Sequence, residues 1–259
     1  MHYFHSNQFV IGIFPFKFVF ETCVLRFFKN LQLYQMKASI ILSGCGVYDG
    51  SEIHESVLAL LALQQHGFNC TCWAPDIAQF HVVNHISGQE MPESRNVLTE
   101  SARIARGQVS DLARFLSDTA DLLLIPGGFG AAKNLSDWAV QGSSGRIQPE
   151  VAKAIRGMHA AGKPIVALCM APVLLAHALG QYAPQLSLGQ VGDGSPYDIA
   201  AIHAGVEQLG AVAKETPLGD IWVDEKNKLV CGPCYMMHAS LVEVHNTIQK
   251  AVSMAKSWI

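Results

Sequence analysis

The sequence predicts a doubly wound α/β domain, with helices on both faces of a mostly parallel sheet. Three observations carry that expectation. From Lys37 onward, short apolar runs alternate with longer helical patterns, strand then helix then strand. The runs over residues 120–125 and 165–168 are too short and too continuous for amphipathic helices, which fits strands buried inside a parallel sheet. Glycine-rich loops follow the first run and the run at 120–125, where such sheets place their ligand contacts.

Each element follows from local chemistry. Residues 38–42 form an apolar strand that enters the glycine-rich loop 43–50, and residues 51–66 form a helix closed by Gly67. Residues 68–73 are the second strand, ended by Ala74-Pro75-Asp76. Residues 81–86 and 89–91, with Ser87-Gly88 between them, predict a small hairpin, and residues 96–105 a helix ending at Gly107. The central strand 120–125 runs into Pro126-Gly127-Gly128-Phe129-Gly130. Helices over 133–140 and 149–161 precede the strand 165–168, and residues 173–179 are helical again. Further on, 186–191 reads as a strand, 198–209 as a helix stopped by Gly210, and 211–214 as a strand. Residues 221–223 and 228–230 flank a turn as a hairpin, and 240–258 is the closing helix.

A chain of 259 residues with 50% hydrophobic residues buries a large core in one main domain. A net charge of -3 with 15% charged residues leaves no basic stripe, which argues against nucleic acid as a partner. Seven cysteines, an odd number spread along the chain, suit a reducing compartment better than a disulfide framework. Residues 1–35 stand apart, crowded with Phe and carrying Lys17, Arg26 and Lys29 against the single acid Glu21. Lys17 interrupts the apolar stretch 9–20, which spoils both a secretory core and a membrane span, so no membrane partner is expected. Two readings stay open. The segment is a presequence, which implies a mitochondrial protein, or a mis-assigned extension before a true start at Met36, which leaves a cytoplasmic one. Either way residues 36–259 are the domain, and a chain beginning at Met36 is expected to melt at the temperature of the full chain. Thermal unfolding of both checks this, and a clear loss in the shorter chain would show that the segment packs on the domain.

Chemistry gathers at the strand ends. Cys169 ends the run 165–168 and Pro172 suits the first turn of the next helix, so the thiol sits where free N–H groups and the helix dipole favour a thiolate. Most cysteines are simply small buried residues, and that reading stands beside the first. Gly127 and Gly128 let backbone approach a ligand and turn N–H groups inward, as an oxyanion hole requires. Glu52 and Glu55 lie one turn apart near a helix start. Both suit the helix dipole, and for Glu52 that plain reading is preferred.

Ser43-Gly44-Cys45-Gly46-Val47-Tyr48-Asp49-Gly50-Ser51-Glu52-Ile53-His54-Glu55, Asn84-His85, Arg95-Asn96-Val97-Leu98 and Pro126-Gly127-Gly128-Phe129-Gly130-Ala131-Ala132-Lys133-Asn134-Leu135 extend the pattern. With the elbow Leu168-Cys169-Met170-Ala171-Pro172, they resemble the ElbB-type glyoxalases, isoprenoid biosynthesis proteins with an amidotransferase-like domain, and their animal mitochondrial counterparts. These belong to the class I glutamine amidotransferase-like and Parkinsonism-associated deglycase superfamily. The resemblance runs from Lys37 to the C-terminus and implies a flavodoxin-like fold. It implies Cys169 as nucleophile, Glu55 as the acid that hydrogen-bonds it, and Gly128 and Met170 as the two oxyanion-hole donors. Gly44, Cys45, Gly127 and Asn134 are expected around the pocket.

The activity implied is conversion of a small aldehyde substrate, methylglyoxal or glyoxal, to its hydroxy acid, with no cofactor, metal or glutathione. Cys169 adds to the aldehyde, Gly128 and Met170 hold the oxyanion, Glu55 moves the proton between carbons, and water releases the thioester. Burial against the thiol is expected to raise the pKa of Glu55, so that it donates to a Cys169 thiolate of depressed pKa. Many members form homodimers. The histidine that the superfamily often carries after the elbow has no counterpart in 192–197, and His203 lies in the next helix. A His-x-Glu pair of the glutaminase type is absent near the C-terminal end, which disfavours glutamine hydrolysis. Two rivals remain, a redox sensor in which Cys169 is oxidised to sulfinate, and a scaffold that binds a metabolite. Cys231-Gly232-Pro233-Cys234 spells a thioredoxin-type motif, but a Gly-Pro that ends a strand is the preferred reading. Cys70 and Cys72 share one strand face as core filling, and the scattered histidines lack ligand spacing, so no structural metal is expected.

Overall fold

The computed structural model describes residues 35–192 and 194–259. The presequence and extension readings of the N-terminal segment fall on residues outside that range. Met36–Ile259 is one compact unit.

The strands are β1 (Lys37–Ile41), β2 (Asn69–Ala74), β3 (Val109–Asp111), β4 (Leu122–Ile125), β5 (Ile165–Leu168), β6 (Gln185–Leu186), β7 (Val212–Ala213), β8 (Trp222–Asp224) and β9 (Leu229–Gly232). A seven-stranded sheet takes the order β3-β2-β1-β4-β5-β9-β8, with only β8 antiparallel to its neighbour. Every residue of β4 and β5 is buried, because their unbroken apolar runs are covered on both faces of the sheet. From β1 the chain winds outward to β2 and β3, then returns through β4 to build the other half. The switch point therefore lies between β1 and β4, where the carboxyl ends of a doubly wound sheet open a crevice. This is the mostly parallel, flavodoxin-like α/β fold.

The helices are α1 (Ile53–Gln65), α2 (Val97–Ile104), α3 (Phe129–Lys133), α4 (Trp138–Gln141), α5 (Pro149–Ala160), α6 (Pro172–Leu179), α7 (Ile199–Gln208) and α8 (Leu241–Lys256). Helix α1 packs on α8, and α5 on α6. Proline in the first turn opens α5 and α6, and a capping box of Ser240 and Glu243 opens α8.

Four local expectations change. β3 was not expected, because Val109-Ser110-Asp111 is a short edge strand without an apolar run. The hairpin over 81–91 reduces to a single bridge between Val83 and Glu90. The helix expected over 133–140 is split, with α3 starting directly after Gly128 and the chain leaving helix between Lys133 and Trp138. There the backbone of residues 135–137 pairs with 146–148 instead, Gln148 N donating to Leu135 O at 2.9 Å and Asp137 N to Arg146 O at 3.0 Å. The strand expected over 186–191 shrinks to β6, which pairs in parallel with β7 in a separate two-stranded sheet.

Candidate functional site

Three strand ends are laced together by backbone. Phe129 N donates to Val47 O at 2.8 Å, Gly130 N to Gly50 O at 2.8 Å, and Glu52 N to Gly127 O at 2.9 Å. The loop after β1 is thereby fixed against the loop after β4. Asn134, buried beneath it, donates to Ser43 O and Asp49 O at 2.8 Å each. The turn after β5 is tied to β9, with Cys169 N donating to Gly232 O at 2.8 Å.

Cys169 holds φ at 56°, a left-handed conformation that a side-chain-bearing residue adopts only under constraint from its surroundings. A tight strand-to-helix elbow of this kind presents its side chain at the top of the sheet. The backbone N–H groups of Gly128 and Met170 hydrogen-bond the sulfur and favour its thiolate. Gly128 reaches this position with φ at 95°, where a side chain would be strained.

Glu55, on the first turn of α1, is fully buried at 0% exposure. Its Oε2 accepts from Gly127 N at 2.8 Å, its Oε1 accepts from Tyr235 N at 3.3 Å, and it hydrogen-bonds Cys169. Burial, then the nearby Glu52 charge, pushes its pKa up to about 8, so the carboxyl is protonated at neutral pH. For the thiol the influences oppose one another. Burial and the Glu55 charge push Cys169 well above the ordinary thiol range, outweighing the two N–H groups.

The thiol faces a narrow cleft of about 20 Å³, lined by Val47, Glu52, Gly128, Phe129, Cys169, Met170, Tyr197, Tyr235 and Met236. That space holds about one water-sized group. The cleft continues into a shallower groove that shares Val47, Glu52, Tyr197 and Tyr235 and adds His54 and His238. A histidine therefore stands at the rim, and among the described residues none lines the inner cleft. Burial and the neighbouring Cys169 and Glu55 charges push the Tyr197 hydroxyl up to about 12.

Of the sequence-predicted residues, the structure brings Cys169, Glu55, Gly127, Gly128 and Met170 together and places the others elsewhere. Gly44 donates its N–H to Ser101 Oγ at 2.9 Å. Cys45 feels Glu100, Arg103 and Asp49 rather than Cys169. Asn134 braces the loop and lines a separate cavity with Phe80, Lys133 and Arg146, which shares no residue with the cleft. The cysteines of the Cys-Gly-Pro-Cys motif are buried and free, Cys231 beside Ser187 and Asp224, Cys234 on the Glu55 and Cys169 side. Sequence reading missed Glu52, Tyr197 and Tyr235 as cleft residues. Glu52 does cap α1, as its position suggests, with Oε2 accepting from Glu55 N at 2.6 Å. Its cleft exposure has no local signature.

Gly127 is where close packing decides the site. A Cβ there would fall 2.7 Å from Glu55 Oε2 and 2.8 Å from Cys169 Sγ. Gly127→Ala is expected to lower stability by about 1–3 kcal/mol and to displace the thiol. Urea unfolding and the rate of iodoacetamide labelling at Cys169 check it; unchanged values for both would refute the contact.

No protein-family model matches the sequence. A human mitochondrial protein, glutamine amidotransferase-like class 1 domain-containing protein 3, is 42% identical over 214 residues, covering 82% of this chain and 79% of that protein. The mitochondrial ES1 protein homolog of Rattus norvegicus is 40% identical over 214 residues, covering 82% of this chain and 80% of its own. Among solved structures, an isoprenoid biosynthesis protein with amidotransferase-like domain from Ehrlichia chaffeensis superposes with a TM-score of 0.77 at 34% identity, covering 86% of this chain and 100% of that one. By its fold, its elbow cysteine and these relatives, the chain belongs to the glutamine amidotransferase-like class 1 domain family that includes the mitochondrial ES1 proteins.

Proposed function

We propose that the protein converts small 2-oxoaldehydes, methylglyoxal and glyoxal, to hydroxy acids without a cofactor, in the mitochondrion and as a homodimer. The observation that carries the reading is the Cys169 sulfur at a small cleft, backed by buried Glu55 and faced by two backbone N–H donors. Mitochondrial location is supported by the names of the human and rat relatives.

The sulfur adds to the aldehyde carbon while the thiol proton passes to the new oxygen. The N–H groups of Gly128 and Met170 hold charge that develops on that oxygen. Proton transfer from C1 to C2 turns the adduct into a thioester of the hydroxy acid. Water then releases the acid and restores the thiol. Lactate formation from methylglyoxal, without glutathione and with Cys169→Ser as control, tests the reading; no lactate from the wild-type protein overturns it. The sensor alternative is weaker, because redox-sensing thiols have low pKa and open access, whereas Cys169 is 6% exposed and pushed upward.

A further inference from the structure

We propose that Glu52, and not Glu55, is the base that carries the proton between the two substrate carbons, with the Tyr235 hydroxyl serving the substrate oxygens. The proposal rests on the glyoxalase reading above. A base for this step must touch the C–H bond of an adduct that lies in front of the sulfur. Glu55 is fully buried, does not line the cleft, and has both oxygens engaged by Gly127 and Tyr235 N–H groups. Its place suits proton exchange with the sulfur and little else.

Glu52 shares the cleft wall with Cys169. Its Oε2 caps α1, the backbone N–H groups of His54 and Ile53 also favour its carboxylate, and His54 Nδ1 stands 4.0 Å from Oε1. Helix N-caps favour Ser, Thr, Asp and Asn, so capping alone does not call for a glutamate here. Burial also raises its carboxyl, and a carboxylate closer to the working pH is a better base. Tyr235 lines the same cleft, and its hydroxyl is held by His54 Nδ1 at 2.9 Å. The exposed His54 side chain links the phenol to solvent.

Starting from the Cys169 adduct, the Glu52 carboxylate takes the C1 proton and the C–H electron pair becomes the C1–C2 double bond. The carbonyl pair moves onto the C2 oxygen, which takes the Tyr235 proton, giving the enediol. Glu52 then returns its proton to C2, and the C1 hydroxyl proton goes back to Tyr235 as the thioester carbonyl forms. No oxidant or reductant is consumed.

The test compares Glu52→Gln, Glu52→Ser and Tyr235→Phe with the wild-type protein in lactate formation from methylglyoxal. Gln and Ser both keep an oxygen that can cap α1, and melting temperatures verify that the fold survives. The expected result for both Glu52 variants is a kcat lowered roughly 10²- to 10⁴-fold, a KM within a few-fold of wild type, and unchanged iodoacetamide labelling of Cys169. Tyr235→Phe keeps the backbone N–H on Glu55 and is expected to lower kcat in the same way, by a smaller factor. Wild-type kcat in Glu52→Gln, or a parallel loss of thiol labelling, overturns the proposal while leaving the glyoxalase reading in place. Absence of lactate from the wild-type protein overturns both.

Discussion

Cys169→Ala is expected to remove methylglyoxal turnover entirely, whereas Cys45→Ala keeps most of it. The contrast follows from placement. Both cysteines leave carboxyl ends of neighbouring parts of the sheet, yet only Cys169 lines the cleft and meets the N–H groups of Gly128 and Met170. Cys45 is held near Glu100 and Arg103 instead. Without the sulfur there is no covalent adduct to isomerise, and buried Glu55 has no partner to exchange a proton with. Steady-state lactate formation by the two variants checks the expectation. Equal losses would remove the nucleophile from Cys169, and retained turnover in Cys169→Ala would end the covalent mechanism.

The second large effect is a pH dependence of stability carried by Glu55. In the unfolded chain this carboxyl titrates near 4.5, and in the folded protein its pKa is pushed up to about 8. Between those values the native state holds a proton that the unfolded state has released. The stabilising contribution is complete below the lower value and is lost as pH rises through the upper one. Its slope is about 1.4 kcal/mol per pH unit for one proton. Glu55→Gln removes that titration. The variant also loses one acceptor for a backbone N–H, but this cost is the same at every pH and appears as an offset. Urea unfolding across the window is therefore expected to show wild-type stability falling with pH relative to the variant, by several kcal/mol in all. Parallel curves would show that Glu55 is ionised in the folded protein.

How much of this was legible in the residues varies from element to element. The strands β4 and β5 were plain because Leu122–Ile125 and Ile165–Leu168 are apolar without interruption, and only a doubly covered strand tolerates that. The short edge strand β3 carries no such run and was invisible. The helix expected across Asn134 failed because the backbone just after it bonds residues 146–148 rather than its own next turn. Glycine spacing marked the loops but not the cleft. Gly44 and Gly127 look alike in the chain, and one meets Ser101 while the other meets the thiol.

By itself the sequence determined the alternation of strands and helices, the elbow that presents Cys169, and the helix start that carries Glu52 and Glu55. These are properties of periods, caps and turns, set by residues within a few positions of one another. The tertiary structure alone decided which groups face the thiol and how their protons are held. Burial of Cys169 and Glu55 against Gly127, the entry of Tyr197 and Tyr235 into the cleft, and the place of Glu52 on its wall come from segments that meet only when the sheet closes. Desolvation depends on everything packed around a group, and no local pattern encodes it. That is why the N–H donors at the Cys169 elbow were legible in the sequence and the opposing burial of the thiol was not.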